Sequence, residues 1–300
     1  MTNPKPYVAV VGGANIDIGA RSLAPLVAQD SNPGIVTLSL GGVGRNIAHN
    51  ARLLGLEVQL VSAFGGDSNA QKLLDSCRAL GIGLDGACVL PACRSSTYLY
   101  ISDERGEMQL AVSDMAICSE LTPARLEAAL PMLNAASAVC FDTNLPAESI
   151  RYLCESCTAP LFCDPVSTAK AEKVRGVLGR LHTFKPNRLE AASLTGCDDP
   201  ADAARALLRL GMQRVFLSLG SDGVLAADAH TMLRLPCLKV QPRSVTGGGD
   251  AFLAALLWAW QNGLSLEQSA RAGISAGAIA LESAETINPR MSEALLRSRM

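Results

Sequence analysis

The sequence predicts an α/β fold with a mainly parallel central sheet, helices on both faces and a small β-sheet lid. Two observations carry this prediction. Strand-like apolar runs alternate with helical patterns through most of the chain, and two segments near residues 14–40 and 93–113 interrupt that alternation with β patterns of their own. Repeated βα units place a parallel sheet between two layers of helices. Because no repeat, low-complexity stretch or linker divides the chain, we expect one domain over residues 1–300.

The first elements are short apolar or periodic runs that end at glycines. Tyr7–Val11 predicts a strand that ends at Gly12-Gly13, and residues 35–40 alternate as a strand until Gly41-Gly42. The next predicted elements are a helix near 47–54, a strand at 58–64, a helix at 70–80, and a hairpin of 95–102 with 107–113 around a turn at 103–106.

The second half of the chain returns to regular alternation and becomes mostly helical in its last third. Strands are predicted at residues 136–141, 160–163, 182–184 and 214–219. Helices are predicted at residues 122–130, 147–157, 187–195, 199–210, 249–262, 266–281 and 290–298.

Composition excludes several classes of protein. The 300 residues are 49% hydrophobic and 18% charged, with a formal net charge of −2, which lacks the basic footprint of a nucleic-acid binder. The longest strongly apolar run, residues 251–260, is about half the length of a membrane span. Residues 1–6 lead into a strand rather than a secretory signal, and the ten cysteines are scattered. We therefore expect a cytoplasmic protein with no membrane or nucleic-acid partner.

Four glycine clusters are candidate ligand-binding segments, at residues 12–17, 41–46, 218–223 and 246–250. Three of them follow a strand, where an open α/β sheet forms its ligand crevice, and three contain an aspartate. Each cluster alone is also compatible with an ordinary turn. Four in one chain favour a binding site.

The last cluster has the clearest chemistry. Gly247, Gly248 and Gly249 open a predicted helix, so backbone N–H groups and the positive end of the helix face outward together and suit a phosphate. Asp250 follows in the first turn, where a carboxylate is poorly placed to bind an anion. It is well placed to remove the proton from a hydroxyl that attacks a phosphoryl group. The alternative is an aspartate that only caps the helix.

Asn187 and Glu190 form a second, weaker candidate. Asn187 followed three residues later by Glu190 matches a helix capping box, which is a sufficient structural explanation. The functional alternative places Glu190 near a metal-bound phosphate, with the Asn187 amide as a donor.

Other nucleotide and metal sites fit less well. The chain has no G-x-x-x-x-G-K-[ST] motif, which excludes a P-loop NTPase. The segment from Gly42 begins like a dinucleotide-binding fingerprint, but Ile47 stands where glycine or alanine is needed, so a dehydrogenase is a weak alternative. Cys154-x-x-Cys157 has no second pair, and the three histidines show no ligand spacing, so we expect no zinc site.

Together these segments resemble the ribokinase-like carbohydrate kinases of the PfkB family. Residues 41–48 resemble the N-terminal signature of the family, residues 245–252 its C-terminal signature, and Asn187-x-x-Glu190 its magnesium-associated motif. The resemblance covers essentially the whole chain. It implies a ribokinase-like three-layer sandwich, a lid formed by the segments near 14–40 and 93–113, ATP and Mg²⁺ as cofactors, and a homodimer formed through the lid.

Within the family, several stretches resemble members that phosphorylate the 5′-hydroxyl of pseudouridine; they lie at residues 30–34, 106–108, 113–115, 164–167 and 185–191. The resemblance implies that Asp17, Gly42 and Asn46 hold the ribose hydroxyls, and that Asn15, Ser31, Asn32 and Asp114 lie near the base. The alternatives are a related kinase for ribose, adenosine or a ketose and, more distantly, a nucleoside-binding protein without turnover.

The resemblance also implies catalytic and nucleotide-binding roles. Asp250 is the expected general base, and the amides of Gly247, Gly248, Gly249 and Asp250 form the expected anion hole. Glu190 is the expected metal-associated residue. The expected ATP-binding residues are Asn187, Ser218, Gly220, Gly223 and Thr246, with Ala276, Ile279 and Asn288 around the adenine.

Two positions depart from the family pattern. Gly248 stands where alanine is usual, which raises the entropy lost when the loop is ordered but keeps the backbone donors. Ser244 stands where many relatives have an aspartate that helps to bind a monovalent cation, which weakens the expectation of activation by K⁺.

Overall fold

Parallel pairing organises the central sheet of the computed structural model, which describes residues 5–243 and 246–300. In chain order the strands are β1 (Tyr7–Val11), β2 (Asn15–Ser22), β3 (Gly34–Gly41), β4 (Glu57–Val61), β5 (Ala63–Gly65), β6 (Cys88–Leu90), β7 (Ser96–Ser102), β8 (Met108–Asp114), β9 (Ala138–Asp142), β10 (Leu161–Asp164), β11 (Thr183–Phe184), β12 (Arg214–Ser218), β13 (Val224–Asp228) and β14 (Met232–Leu235). The α-helices are α1 (Val43–Leu53), α2 (Ser68–Ala79), α3 (Pro123–Ala135), α4 (Ala147–Ser156), α5 (Thr168–Ala171), α6 (Arg188–Thr195), α7 (Pro200–Arg209), α8 (Gly248–Gln261), α9 (Leu266–Leu281) and α10 (Glu293–Arg299). Short 3-10 helices span Ala116–Glu120, Glu172–Arg180 and Gly220–Asp222.

The central sheet has eight strands in the order β14-β13-β12-β11-β10-β9-β1-β4. The strands from β12 to β4 are parallel, and the β13–β14 hairpin is antiparallel at one edge. This mainly parallel sheet confirms the predicted fold class. The small sheet β5-β6 lies apart from it.

Alternate residues of the central strands enter two separate cores, one on each face of the sheet. In β1, Val8 and Val10 face one core, whereas Ala9 and Val11 face the other. Helices α1, α2, α8 and α9 contribute to the first core, and α3, α4, α6 and α7 to the second. Residues 251–259 of α8 are all apolar and all buried, as expected for a helix that packs on every side. The result is a three-layer sandwich of helices, sheet and helices.

A separate four-stranded sheet, in the order β3-β2-β7-β8, is built from the two segments expected to form the lid. Strands β2 and β7 are parallel, and β3 and β8 are antiparallel to them. We call this sheet the lid sheet. Its hairpin β7–β8 was predicted, whereas β2 was not, because Asn15 to Asp17 belong to a glycine-rich cluster that also fits a turn.

Three further regions differ from the prediction. The strand predicted at 58–64 is divided into β4 and β5 at Ser62. The β13–β14 hairpin and the helical segment from Thr168 to Arg180 were not predicted. The hairpin lies in a stretch without a clear turn signal. The helical segment does carry a signal, because the buried residues Ala171, Val174 and Leu178 have helical spacing, and the prediction missed it.

Within the described ranges, none of the helices has the length and apolar character that a membrane crossing requires.

Candidate active site

The carboxyl ends of five parallel strands converge at one edge of the central sheet. At this edge, β1 leads into Gly12, β9 ends at Asp142, β10 ends at Asp164, β11 leads into Lys185, and β12 ends at Ser218. Ligands of open α/β sheets bind at this edge. Asp142 and Lys185 carry charge at the ends of buried strands but were not among the predicted site residues, and neither was Asp164. A charged residue directly after an apolar strand is the signal that could have identified them.

Helix α8 begins at the same edge on a turn that requires glycine. Gly247 is the N-cap and has a φ of 80°, and a Cβ there would collide with the carbonyl oxygen of Thr286. Gly247 itself has no side chain that could cap the helix, and the N–H groups of the first turn of a helix are suited to binding an anion. Gly248 and Gly249 form the first turn with Asp250. The structure thus brings together the four residues expected to form the anion hole and the base.

Asp250 accepts a hydrogen bond from Asn46 and lies among charged side chains. The Asn46 amide donates from Nδ2 to Asp250 Oδ2 over 2.9 Å, which joins α1 to α8. Burial and the negative charges of Asp164 and Asp142 raise the pKa of Asp250 to about 7, against the opposing effects of Asn46 and Lys185. A carboxylate with a pKa near neutrality suits proton abstraction at physiological pH.

Lys185 and Asp164 form a buried ion pair beside Asp250. Lys185 Nζ lies 3.1 Å from Asp164 Oδ2, and the two side chains are only 10% and 8% exposed. The other Asp164 oxygen accepts the backbone N–H of Val166 over 2.7 Å. Val166 has a φ of 60°, a costly conformation for a β-branched residue. Despite burial, the neighbouring carboxylates of Asp164, Glu190 and Asp250 raise the pKa of Lys185, which keeps it charged.

Asn187 and Glu190 form the capping box of α6. The Asn187 side chain accepts the Glu190 N–H over 2.9 Å, and Glu190 Oε2 accepts the Asn187 N–H over 2.8 Å. Asn187 also pairs with Ser218 in a parallel bridge, so these two predicted nucleotide-binding residues are adjacent. The capping role is therefore real. It is compatible with a role toward phosphate, since Glu190 is a buried carboxylate whose pKa is raised mainly by burial.

The carboxylates at this edge suit Mg²⁺ only in company with a phosphate. Within residues 5–243 and 246–300, no group of three or more His, Cys, Asp or Glu side chains is arranged to hold a metal ion. Mg²⁺ in phosphoryl-transfer sites is commonly bound by one or two carboxylates together with substrate oxygens. Glu190 therefore fits a Mg²⁺ ion that arrives with ATP, rather than a preformed metal centre.

Asn15, Asp17, Gly42 and Asn46 surround the junction between the lid sheet and α1. Asn15 Nδ2 donates to Asp17 Oδ1 over 2.5 Å. Gly42 has a φ of 96°, and a Cβ there would strike the carbonyl oxygen of Gly13. The nearby Arg45 guanidinium partly offsets the burial that raises the pKa of Asp17. The predicted ribose-binding residues thus lie together, with Asn46 joining them to Asp250.

Asp142 extends this polar region across the end of β1. Its Oδ2 accepts the Gly13 N–H over 2.9 Å, and its Oδ1 accepts the Asn144 N–H over 2.8 Å. Lys170 Nζ donates to Asn144 Oδ1 over 2.6 Å, so the Asn144 amide has a fixed orientation. These contacts hold the floor of the region rigid.

The three remaining residues predicted near the base are not gathered around Asp17. Asn32 uses its side chain to close the loop onto Val27, in the connection at the far end of β2 and β3 from Asp17. Ser31 lies in the same exposed connection. Asp114 ends β8 opposite Thr97, which pairs with Ile16, so the register places it on the other face of the lid sheet from Asp17. The register places Tyr98 and Ser113 beside Asp17 instead.

The residues predicted around the nucleotide divide into two groups. Ser218, Gly220 and Gly223 lie on the turn after β12, close to Asn187. Ala276 and Ile279 are fully buried in α9, and the Asn288 amide donates to the Ile279 carbonyl over 2.6 Å. Thr246 precedes the turn into α8. Ser244, on which the K⁺ expectation depends, lies outside the described residues.

Comparisons with known proteins agree with this geometry. The family model described as pfkB family carbohydrate kinase matches residues 5–294. Pseudouridine kinase of Escherichia coli is 37% identical, over 96% of this chain and 94% of the relative. An uncharacterized sugar kinase of the same organism is 34% identical, over 95% of this chain and 81% of the relative.

A solved structure supports the fold independently. Ribokinase from Thermotoga maritima superimposes with a TM-score of 0.89 at 21% identity, over 98% of each chain. At this identity the likeness concerns the fold, and it confirms the predicted ribokinase-like sandwich.

Gly247 and Gly248 should respond in opposite ways to alanine. At Gly248 a Cβ would make ordinary contact with Leu281, 3.4 Å away. We expect Gly248→Ala to raise the free energy of unfolding by about 0.4–1 kcal/mol, because it restricts the unfolded chain. Gly247→Ala should lower it by about 1–2 kcal/mol, because of its positive φ and the blocked Cβ. Urea unfolding of both variants checks this, and equal shifts would contradict the assigned turn.

Proposed function

The chain belongs to the pfkB family of carbohydrate kinases, and we propose that it transfers the γ-phosphoryl group of ATP to the 5′-hydroxyl of pseudouridine. The observation that carries this proposal is the position of Asp250. Asp250, whose pKa is about 7, lies in the first turn of α8 after a glycine N-cap, and Asn46 of α1 donates a hydrogen bond to it.

In the proposed mechanism Asp250 accepts the proton of the 5′-hydroxyl while the 5′-oxygen attacks the γ-phosphorus. Its hydrogen bond from Asn46 fixes one oxygen, so the other is oriented toward the acceptor hydroxyl. The N–H groups at the start of α8 bind the oxygens of the transferring phosphoryl group, where negative charge must be stabilised. The lid sheet would close over the nucleoside and exclude water as a competing acceptor.

Mg²⁺ would be held through Glu190 and the phosphates, and it neutralises phosphate charge when bound. The Asn187 amide and the turn at Ser218 border the ATP phosphates in this proposal. The adenine would lie near α9, where Ala276 and Ile279 support the helix from within.

The choice of pseudouridine rests on the similarity to pseudouridine kinase and on the polar face of the lid sheet. Asp17, Tyr98 and Ser113 lie in one row of that face, next to the row containing Thr37 and Tyr100. The rings of Tyr98 and Tyr100 are 5.8 Å apart, so the face offers both hydroxyl groups and aromatic surface. Such a surface suits a nucleobase better than a free pentose, which has only hydroxyls.

A substrate panel tests the proposal. With MgATP fixed, ADP release should show the highest kcat/KM for pseudouridine among pseudouridine, uridine, adenosine, ribose and fructose. Uridine is the matched control, because it differs at the glycosidic bond and in one ring N–H. A site with a buried acceptor for that N–H discriminates strongly against the analogue that lacks it. Preference for ribose or adenosine would refute the substrate, and tight binding without ADP release would refute the kinase.

Replacing Asp250 by asparagine should remove the base and keep the shape of the site. We expect Asp250→Asn to lower kcat by about 10²–10⁴ and to leave ATP binding intact. In the unmodified protein, kcat/KM for pseudouridine should fall as pH drops through about 7, because protonated Asp250 cannot accept a proton. The asparagine variant should show no such dependence. A variant within threefold of the parent, or a parent profile that is flat from pH 6 to 8, would contradict the assignment.

The same raised pKa has a consequence for stability. The folded protein binds the Asp250 proton more tightly than the unfolded chain does, so this contribution to stability is present at low pH and is lost as pH rises through about 7. Asp250→Asn should therefore raise Tm more at pH 8 than at pH 5. An equal change at both pH values would mean that Asp250 ionises normally.

We also propose a homodimer in which the outer faces of two lid sheets cover each other. The strand register puts apolar residues of all four lid strands on the face opposite Asp17, and five of them are exposed, namely Val36, Leu38, Leu99, Leu110 and Val112. The same face is continuous with the core at Ile16, which is fully buried. An exposed apolar patch of this kind marks an association surface, and a second copy offers an equally apolar face.

Charge on this outer face should break the dimer. The double change Leu38→Glu with Val112→Glu should give a monomer by light scattering after size exclusion, because two carboxylates would be buried without partners. Leu210→Glu is the matched control, since Leu210 is an equally exposed leucine outside the lid sheet. A monomeric parent protein, or a dimer that survives the double change, would refute the interface.

We propose a cytoplasmic location. All ten cysteines are free thiols, and a reducing compartment such as the cytoplasm keeps thiols in this form.

A further inference from the structure

Lys185 is a buried cation whose position the proposed roles do not explain. It directly follows β11, and its backbone N–H donates to the Cys163 carbonyl over 3.2 Å, in register with the neighbouring strand β10. This register brings Lys185 next to Asp164, which explains the ion pair between them. An ammonium group has three donors, however, and a single carboxylate oxygen occupies one of them.

The orientation of the Asp164 carboxylate depends on a strained turn at Val166. Val166 adopts a positive φ, a sparsely populated conformation that is unfavourable for a β-branched residue. Its N–H then donates to Asp164 Oδ1, while Lys185 occupies Asp164 Oδ2. The Pro165 carbonyl in the same turn accepts the Thr143 hydroxyl over 2.6 Å. Strain maintained by surrounding contacts is typical of functional sites, and here it orients the carboxylate that holds Lys185.

The ammonium group lies against the first turn of α8. A Cβ on Gly249 would be only 3.2 Å from Lys185 Nζ, so a side chain at this position would crowd the ammonium group. The first turn is also the positive end of the helix dipole, which disfavours a neighbouring cation. Two positive groups directed at the same space are stabilised together when an anion lies between them.

We propose that Lys185 is a catalytic residue that donates hydrogen bonds to the transferring phosphoryl group, and that Asp164 is the residue that positions it. This inference rests on the proposed kinase function. In the reaction the bond between the γ-phosphorus and the β–γ bridging oxygen breaks, its electron pair leaves with ADP, and the 5′-oxygen forms the new bond. The proton passes to Asp250, and Lys185 stays protonated throughout. The ammonium group and the α8 amides share the negative charge on the phosphoryl oxygens.

The contact predicts a specific effect on nucleotide binding, because ADP lacks the γ-phosphate. Calorimetry without nucleoside should compare MgADP with the magnesium complex of a non-hydrolysable ATP analogue. One variant combines Lys185→Met with Asp164→Asn, which removes both charges and leaves no unpaired buried carboxylate. A second variant, Lys185→Gln, keeps a donor for Asp164 and removes only the charge. Each should weaken binding of the ATP analogue by about ten- to a hundredfold and leave ADP binding unchanged.

The two variants should lose activity through kcat and not through KM. We expect kcat to fall by about 10²–10³, the usual effect of removing one donor to a developing oxyanion, while KM for the nucleoside is unchanged. Lys173→Met is the matched control. Lys173 is a partly buried lysine near the carboxyl end of β9, and its ammonium donates to the Thr143 and Leu145 carbonyls. This control should keep the preference for the ATP analogue.

The outcomes separate this inference from the kinase function. A folded variant that still prefers the ATP analogue to ADP as strongly as the parent would overturn the role of Lys185 alone. A different best substrate in the panel would leave the inference in place, because the calorimetry contains no nucleoside. A parent protein that binds neither nucleotide would overturn the kinase function, and this inference with it.

Discussion

The buried ion pair between Lys185 and Asp164 is the interaction on which the electrostatics of the site depend. Asp142, Asp164, Glu190 and Asp250 all lie at one edge of the sheet. Burial raises the pKa of Asp142, Glu190 and Asp250, and the negative charge of Asp164 raises the pKa of all three further. Removing charges from water is unfavourable unless they are paired and hydrogen-bonded. Lys185 opposes this effect at Glu190 and Asp250 together. Without the ammonium group, the pKa of Asp250 would rise, and a larger fraction of the proposed base would be protonated at neutral pH.

Helix α8 supplies the second constraint, because its burial fixes the position of its N-terminus at the site. Nine consecutive buried residues anchor the helix in the core, between α1, α9 and the sheet. A helix held so firmly has its N-terminus at a fixed position, and only a left-handed residue such as Gly247 can turn the chain into it beside Thr286. Preorganised backbone donors cost no reorganisation during the reaction. In the proposed mechanism, the buried apolar length of α8 contributes to catalysis by fixing the position of its first turn.

Local patterns explain which parts of this molecule could be predicted from sequence. Strand β1 and helix α8 are continuous apolar runs next to glycines, and α9 begins at a capping box. Their predicted and observed bounds agree within one residue. The β13–β14 hairpin lacks such a signal. Asp142 and Lys185 were missed for a different reason, because their importance arises from strand pairing: β9, β10 and β11 become neighbours only in the folded sheet. The Asn46–Asp250 hydrogen bond likewise joins residues 204 positions apart.

The lid sheet shows how one strand register can serve two purposes. Successive residues of β2 point to opposite faces, so Asp17 lies on the face proposed to bind the nucleoside, while Ile16 and Ile18 lie on the apolar face. Arg45 links this sheet to the body of the protein, since its guanidinium donates to the Leu40 carbonyl and to the Ser76 hydroxyl. A partner that covers the apolar face would hold the four strands in place and, through β2, hold Asp17 in place as well. Dimer formation and substrate binding would then stabilise the same position of the lid sheet. The exposed apolar face would thus assist substrate binding as well as association.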